Sequence, residues 1–247
     1  MKAILSTDFL KLIAIIAMTV DHVAWVLFPG YQIGIVPIVM HIIGRITCPI
    51  MCFFVAEGYH HTKNVKRYTN RLFLFSFISH FAYVYFSLEY VDWRSFIPFY
   101  YGDFLNQTSV LWALAWGLVM LRVTDSKKIK EPAKYLIIIL ICLLSFPADW
   151  SCIASLCILA FGTNRNNLKK QMLWMVFYVA IYSVVYFFAI DKVYALLQMA
   201  VILAVPFLWL YSGKKSNSQR LNGVIKYFFY LYYPLHLFVL GFVKTFI

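Results

Sequence analysis

Charged side chains are scarce in this sequence of 247 residues. They form 13% of it, and 63% of the residues are hydrophobic. Soluble domains carry about 25% charged residues, so this composition excludes an ordinary soluble domain. It indicates an all-α fold, a polytopic integral membrane helix bundle whose partner is the lipid bilayer.

Acidic residues are the scarcest charged class, with 10 Asp and Glu against 22 Lys and Arg, a formal net charge of +12. A basic chain of this kind can bind nucleic acid. Here, however, the basic residues fall into short clusters between apolar runs, as they do on the cytoplasmic side of membrane proteins. We therefore expect no nucleic-acid partner and a multi-pass protein of the cell (inner, cytoplasmic) membrane.

Cysteine is also rare, and the five cysteines lie within or at the edge of apolar segments. Cys48 and Cys52 share a helix face, but two thiols do not complete a metal site. We expect small core residues and no metal. The first apolar run is longer than the core of a signal peptide and lacks a small-x-small cleavage site behind it, so we expect an uncleaved first helix.

Apolar runs long enough to span a bilayer recur along the chain. One stretch, 134–162, is broken at Pro147-Ala148-Asp149-Trp150, and we interpret it as two short arms that meet at Asp149. No repeat or second domain is visible, so we predict one domain, 1–247, with about nine hydrophobic segments. The remaining predicted helices cover 9–28, 33–57, 71–90, 108–123, 171–190, 193–211 and 224–246.

Loop charges orient these segments. With two arms in 134–162, most Lys and Arg residues fall on one side of the membrane, which places the N-terminus in the cytoplasm and the C-terminus outside. The loop 91–107 then lies on the outer side, and the polar linker 212–223 lies in the cytoplasm.

Ionisable residues occur inside the first two apolar runs: Lys11, Asp21, His22, His41 and Arg45. At such depths each costs a few kcal/mol or more, so such groups usually face a bundle interior or a watery cavity. Eleven steps of 100° separate Lys11 from His22, which puts both on one helix face about 16 Å apart.

Other segments bring ionisable residues to a similar depth. At 1.5 Å per residue from the inner surface, His22 lies at about 20 Å and His236 at about 18 Å. Arg45, His80 and Asp149 reach the same slab. We therefore predict one functional site near mid-bilayer, although a lone histidine of this kind can also be a hydrogen-bonded core residue.

Asp21 cannot orient His22, because adjacent helical residues diverge by 100°. Its best partner is Arg45, either as a structural ion pair or as part of a substrate site. At the cytoplasmic end, the segment 57–64 and the arginines after it form either a solvated basic loop or a phosphate-binding cluster. The candidates for phosphate contact are Lys11, Glu57, His61, Lys63, Asn64 and Arg71.

The motifs LKLIAIIAMTVDH, GRITCPIMCFFVAEG, HTKNVKRYTNRL, ADW and FFYLYYPLHL occur in that order. In this series the chain resembles the TraX family, named for the conjugation protein that acetylates pilin. It departs from the family pattern at Cys48, around 104–117, and at Asp149-Trp150. The resemblance implies an acetyltransferase that moves an acetyl group from cytosolic acetyl-CoA to an amine or hydroxyl of a peptide, pilin-like or glycan acceptor outside.

The spacing Lys11-x10-His22 is similar to the Arg-x10-His pattern of membrane acyltransferases, which implies that His22 is a general base. In this interpretation Arg45 or a tyrosine hydroxyl stabilises the thioester oxyanion, and Asp21 holds Arg45 in place. The acceptor would be positioned by Asp149, His236, Tyr233 and His80. Buried charges also suit a proton-coupled secondary transporter or a scaffold for assembling surface appendages, and both alternatives stay open.

The orientation leads to a testable prediction. Reporter fusions at Lys127 and Lys214 are expected to report the cytoplasm, and a fusion at Ile247 the outer side. The measurement is a paired assay with one reporter active only in the cytoplasm and one active only outside. A cytoplasmic signal from Ile247 would contradict the two-arm interpretation of 134–162.

Overall fold

The computed structural model describes residues 4–88, 90–100, 105–214 and 219–246. In these ranges the chain is helical between turns and has no β-strand, only two isolated bridges, Leu5–Tyr211 and Thr108–Ala148. The predicted all-α class is therefore confirmed. Five parts of the sequence predictions lie outside the described residues: Lys2 among the basic residues placed in the cytoplasm, Glu89 of the predicted helix 71–90, positions 101–104 of the outer loop, positions 215–218 of the linker, and Ile247.

Within the described ranges, four stretches are long and apolar enough to cross a bilayer: Thr7–Leu27, Ile35–His61, Leu168–Ala189 and Lys192–Trp209. The chain is thus a membrane protein. The α-helices are α1 Thr7–Leu27, α2 Ile35–Gly44, α3 Thr47–His61, α4 Val65–Ser87, α5 Val110–Asp125, α6 Glu131–Ser145, α7 Ser151–Thr163, α8 Leu168–Ala189, α9 Lys192–Gln198, α10 Ala204–Trp209 and α11 Gln219–Lys244, with 3₁₀ turns at Trp93–Phe96 and Met199–Leu203.

Two segments predicted as continuous helices, 33–57 and 193–211, are interrupted by proline. Pro49 has no N–H to donate to the carbonyl of Arg45, four residues earlier, and the chain turns at Arg45 and Ile46 between α2 and α3. In the second segment Pro206 follows a 3₁₀ turn in the same way. The first interruption matters most, because it falls at the buried arginine.

The first compact unit consists of residues 1–51 and 168–236. In it, α1 packs on α2, and α9 packs on α2 and α8. A Cβ added at Gly44 would collide with the side chain of Asp21. Glycine therefore permits the close approach of α2 to α1 at the level where the ionisable residues lie.

The second unit consists of residues 52–167 and 237–246, and α5 is its central helix, in contact with α4, α6 and α7. A Cβ at Gly117 would lie 2.6 Å from Ile158 Cδ1. Small residues at helix contacts are the usual means of close packing in membranes, where helix association gains nothing from excluding water.

The predicted break around Asp149 is present, between Ser145 at the end of α6 and Ser151 at the start of α7. Trp150 and Ser151 have φ angles of 64° and 50°, so the chain reverses through two left-handed residues. Backbone hydrogen bonds tie the turn to the segment before α5. The carbonyl of Pro147 accepts from the N–H of Gln107 at 2.7 Å, and the N–H of Asp149 donates to the Thr108 carbonyl at 2.8 Å.

Candidate functional site

A buried carboxylate joins three helices of the first unit. Asp21 on α1 has a side chain that is 15% exposed, and its Oδ1 lies 3.3 Å from Nη2 of Arg45. The same oxygen lies 2.8 Å from Nδ1 of His41 on α2. Arg45 also donates from Nη1 to Oε1 of Gln198 on α9, at 3.2 Å. The Asp21–Arg45 ion pair predicted from the sequence is therefore present.

The sequence analysis listed His41 among the buried ionisable residues but did not pair it with Asp21, and it missed Gln198. His41 precedes Arg45 by one helical turn on the same face, so both side chains face α1. Gln198 gave only a weak signal, a single amide within an apolar run. Its side-chain oxygen accepts one of the hydrogen bonds that Arg45 can donate, in a membrane helix where water does not supply an acceptor.

A second network joins α1 to α11. Nδ1 of His22 lies 2.8 Å from Nε2 of His236, and Nδ1 of His236 lies 2.9 Å from the carbonyl oxygen of Tyr232. A carbonyl can only accept, so His236 carries its proton on Nδ1 and, when neutral, accepts at Nε2. His22 must then donate from Nδ1. The basic lone pair of a neutral His22 is thereby placed on Nε2.

Neighbouring side chains hold His236 in this orientation. The ring of Tyr232 stacks on its imidazole, with centroids 5.1 Å apart and an angle of 10° between the planes. The hydroxyl of Thr19 donates to the carbonyl of Ile15, so it accepts from the hydroxyl of Tyr232, 2.7 Å away. Tyr233 contacts the other side of His236 edge-on, at 5.6 Å.

His236 is thus a hydrogen-bond partner of His22, which the sequence analysis did not predict. Contact of His236 and Tyr233 with an acceptor stays a prediction. Lys11 lies on α1 as predicted, with Nζ 5.3 Å from the centroid of the Phe229 ring. Its contact with a donor stays a prediction.

The segment 57–64, predicted to bind phosphate, lies in the second unit. The carboxylate of Glu57 in this segment is paired with neighbouring side chains. Oε1 of Glu57 lies 3.1 Å from Nε of Arg165, and Oε2 lies 3.2 Å from Nε2 of His61. Arg165 Nη2 also lies 3.1 Å from that His61 nitrogen. Arg165 was missed, because nothing in the sequence links the loop after α7 to the end of α3.

The other cluster residues surround the start of α4. Asn64 caps this helix, with Oδ1 accepting from the N–H of Arg67 at 2.8 Å. Lys63 is exposed, and the Arg71 guanidinium lies 5.4 Å from the centroid of the Tyr68 ring. With Glu57 neutralised by Arg165, the remaining cations give this end of the unit a net positive charge, which fits a polyanion.

His80 and Asp149, also in the second unit, both adjoin Thr108. Nε2 of His80 donates to the Phe96 carbonyl at 2.9 Å, so Nδ1 accepts from the Thr108 hydroxyl at 3.1 Å. Two satisfied nitrogens are typical of a structural histidine. Binding of an acceptor by His80 and Asp149 stays a prediction. Within the described part of the chain, no group of three or more His, Cys, Asp or Glu side chains is placed to hold a metal ion.

Comparison with known proteins identifies the family. The family model described as TraX protein matches residues 6–244. The chain belongs to the TraX family. Among TraX-like relatives, a probable fimbrial assembly protein FimC, serogroup H1, of Dichelobacter nodosus is 29% identical over 96% of this chain and 95% of its own length.

A second relative is an uncharacterized protein, RP591, of Rickettsia prowazekii (strain Madrid E), which is 30% identical over 45% of this chain and 48% of its own length. No solved structure matches the chain. The match over nearly the whole chain confirms the TraX resemblance drawn from the motifs.

The buried ion pair leads to a stability prediction. Asp21→Asn leaves Arg45 buried with its charge uncompensated, which typically costs about 3–5 kcal/mol. We expect a clear loss of thermal stability in detergent, measured by the melting temperature. The double variant Asp21→Asn with Arg45→Gln removes both charges and should recover much of this loss. A double variant no more stable than Asp21→Asn would contradict a net role for the ion pair.

Proposed function

We propose that this protein is a membrane-embedded acetyltransferase that moves an acetyl group from cytosolic acetyl-CoA to an amine or hydroxyl acceptor at the outer side of the membrane. One observation carries the proposal: the 2.8 Å hydrogen bond from His22 Nδ1 to His236 Nε2. It presents the basic nitrogen of a deep histidine in one orientation, as general-base catalysis requires.

The chemistry at this nitrogen is simple to write. The acceptor nitrogen or oxygen forms a bond to the acetyl carbon while its proton passes to Nε2 of His22. The bond from that carbon to sulfur then breaks, and the proton passes on to the departing thiolate. His236 stabilises the imidazolium that exists between these steps, because it accepts the Nδ1–H bond, which becomes stronger when His22 is charged.

Arg45 supplies a fixed positive charge in the same unit, and its hydrogen bonds to Asp21 and Gln198 restrain it. A guanidinium of this kind can stabilise a developing oxyanion in a site of low dielectric. Asp21 then acts by positioning Arg45. No serine or cysteine is needed as a nucleophile, so transfer is direct.

The proposal extends to the membrane topology and the donor contacts. We propose about nine crossings of the inner membrane by a single acyltransferase-like domain, with a cytoplasmic N-terminus. CoA phosphates would contact His61, Lys63, Asn64 and Arg71 in the second unit, beside the Glu57–Arg165 pair. The donor contact predicted for Lys11 on α1 is a separate proposal. Acetyl-CoA is large and anionic and does not cross a bilayer. A base that serves an outer acceptor must therefore lie deep in the membrane, between the cytoplasmic donor and that acceptor.

The relatives suggest the type of acceptor. The Dichelobacter nodosus relative is named for fimbrial assembly, and a pilin-like subunit is an acceptor consistent with that name and with the family. A scaffold role in appendage assembly is the second candidate, favoured by the same name. A scaffold has no need of an imidazole with a fixed basic nitrogen. A proton-coupled transporter remains a third reading, without support from the relatives.

Binding of the donor is the first test. Acetyl-CoA is expected to raise the melting temperature of the detergent-solubilised protein, since a ligand stabilises the state that binds it. Lys63→Glu combined with Arg71→Glu should reduce this shift, because the phosphates would meet like charge. Lys127→Glu with Lys128→Glu makes the same charge change elsewhere on the second unit and should leave the shift intact. No shift with the wild type at millimolar acetyl-CoA would contradict the acetyltransferase.

Turnover of the His22→Gln variant is the second test. Glutamine can still donate a hydrogen bond to His236, but it cannot take up a proton. We expect turnover to fall about 10²–10⁴-fold, as for loss of a general base, with the acetyl-CoA shift nearly unchanged. Ser183→Ala is the matched control, because it removes the hydrogen bond of another buried side chain of the first unit, from Ser183 Oγ to the Ala195 carbonyl at 2.6 Å. Near-normal turnover of His22→Gln would make His22 a structural residue.

A further inference from the structure

His41 is a completely buried imidazole whose second nitrogen has no hydrogen-bond partner. Its side chain is 0% exposed, and Nδ1 lies 2.8 Å from Asp21 Oδ1. A carboxylate only accepts, so this nitrogen carries the hydrogen and Nε2 is left over. Among the described residues nothing is placed to bond Nε2. A buried polar atom without a hydrogen-bond partner is unusual, and a bound ligand or a catalytic role can explain it.

Arg45 and Asp21 set the charge balance around His41. Arg45 on α2 already balances Asp21 on α1, so a neutral His41 leaves the three groups uncharged overall. The other ionisable groups facing this region are His22, next to Asp21 on α1, and Tyr194 on α9. Nε2 of His41 then carries a lone pair, which can accept a hydrogen bond from an N–H or O–H group outside the protein.

Aromatic rings pack around the His41 imidazole. The rings of Trp25 and Tyr194 lie 4.7 Å and 5.2 Å from the His41 ring. Tyr31, which is 41% exposed, packs edge-on against both of them. Aromatic faces attract cations such as an ammonium group.

The proton balance of the proposed reaction requires a second base when the acceptor is an amine. The amine arrives largely as R–NH₃⁺ and leaves as an amide, so its nitrogen loses two protons. One passes through His22 to the thiol sulfur of CoA, and the other must go to a further acceptor. A hydroxyl acceptor loses one proton only, and His22 alone would suffice for it.

We propose that the Asp21–His41 pair is this second base. Nε2 of His41 accepts a hydrogen bond from the acceptor ammonium and takes its first proton, which makes the nitrogen nucleophilic. The carbon–nitrogen bond then forms, the second proton goes to His22, and the carbon–sulfur bond breaks. Asp21 stabilises the imidazolium of His41 until the proton returns to water. This role rests on the proposed acetyltransferase function and makes His41 a catalytic residue beside His22.

The test compares two acceptors that differ in amine basicity. The probes are two short peptides of one sequence, with an N-terminal alanine or an N-terminal trifluoroalanine, whose amine is largely unprotonated at neutral pH. Acetyl transfer from acetyl-CoA is followed by CoA release and by the peptide mass. His41→Gln can still donate to Asp21 and still accepts a hydrogen bond, but it takes up no proton. Ser183→Ala is again the matched control.

For His41→Gln with the alanine peptide, kcat/KM should vary with pH in proportion to the fraction of peptide whose amine is unprotonated. With an amine pKa of about 8, the expected loss relative to the wild type is about thirtyfold at pH 6.5, recovering above pH 8. With the trifluoroalanine peptide the variant should match the wild type at every pH. A purely structural role predicts an equal loss with both peptides at all pH values, and that result would overturn the proposal.

The wild type gives a second readout that does not depend on the variant being folded. Its kcat/KM for the alanine peptide should fall far less between pH 8 and pH 6.5 than the free-amine fraction does. A fall in step with that fraction would overturn the role of His41 while leaving the acetyltransferase intact. Transfer to neither peptide would count against the acetyltransferase itself, and with it against the second base.

Discussion

The burial of one carboxylate shapes the first unit more than any other interaction. Asp21 lies within a membrane helix, where an isolated charge is expensive, and Arg45 and His41 reach it from a single neighbouring helix. Gly44 allows that helix to come close enough. Pro49 has no N–H for the Arg45 carbonyl, and the helix ends at the arginine. Each of these residues is explained by the need to surround one oxygen atom.

Two histidines of this unit are oriented by groups that differ in charge. His22 is fixed through His236 by a backbone carbonyl, which cannot titrate, whereas His41 is fixed by a carboxylate. Both arrangements leave the lone pair of the neutral ring on Nε2. A carboxylate stabilises a charged ring more than a carbonyl does, and this difference is the basis of the separate roles that we propose for His41 and His22.

The sequence predicted the parts of this structure that follow from local physics. Hydropathy located the membrane helices, and the Asp21–Arg45 pair followed from the cost of leaving either charge alone. The break at Asp149 followed from proline and charge asymmetry. The interruption at Arg45 could have been found, since Pro49 lies four residues later, but the length of the apolar run masked it. The partners Gln198 and Arg165 could not, because they come from segments far away in the chain whose packing no local pattern specifies.

The turn between α6 and α7 also bears on how the protein is made. Its exposed backbone groups are satisfied by the segment just before α5, where the Gln107 N–H and the backbone of Thr108 meet Pro147 and Asp149. In a bilayer no water replaces such partners. Residues 107 and 108 are synthesised about forty residues earlier, so during co-translational insertion they are already in place when the turn leaves the ribosome. The hydrogen-bond partners of the turn are therefore synthesised before the turn itself. We expect α5 to enter the membrane before α6 and α7 reach their final positions.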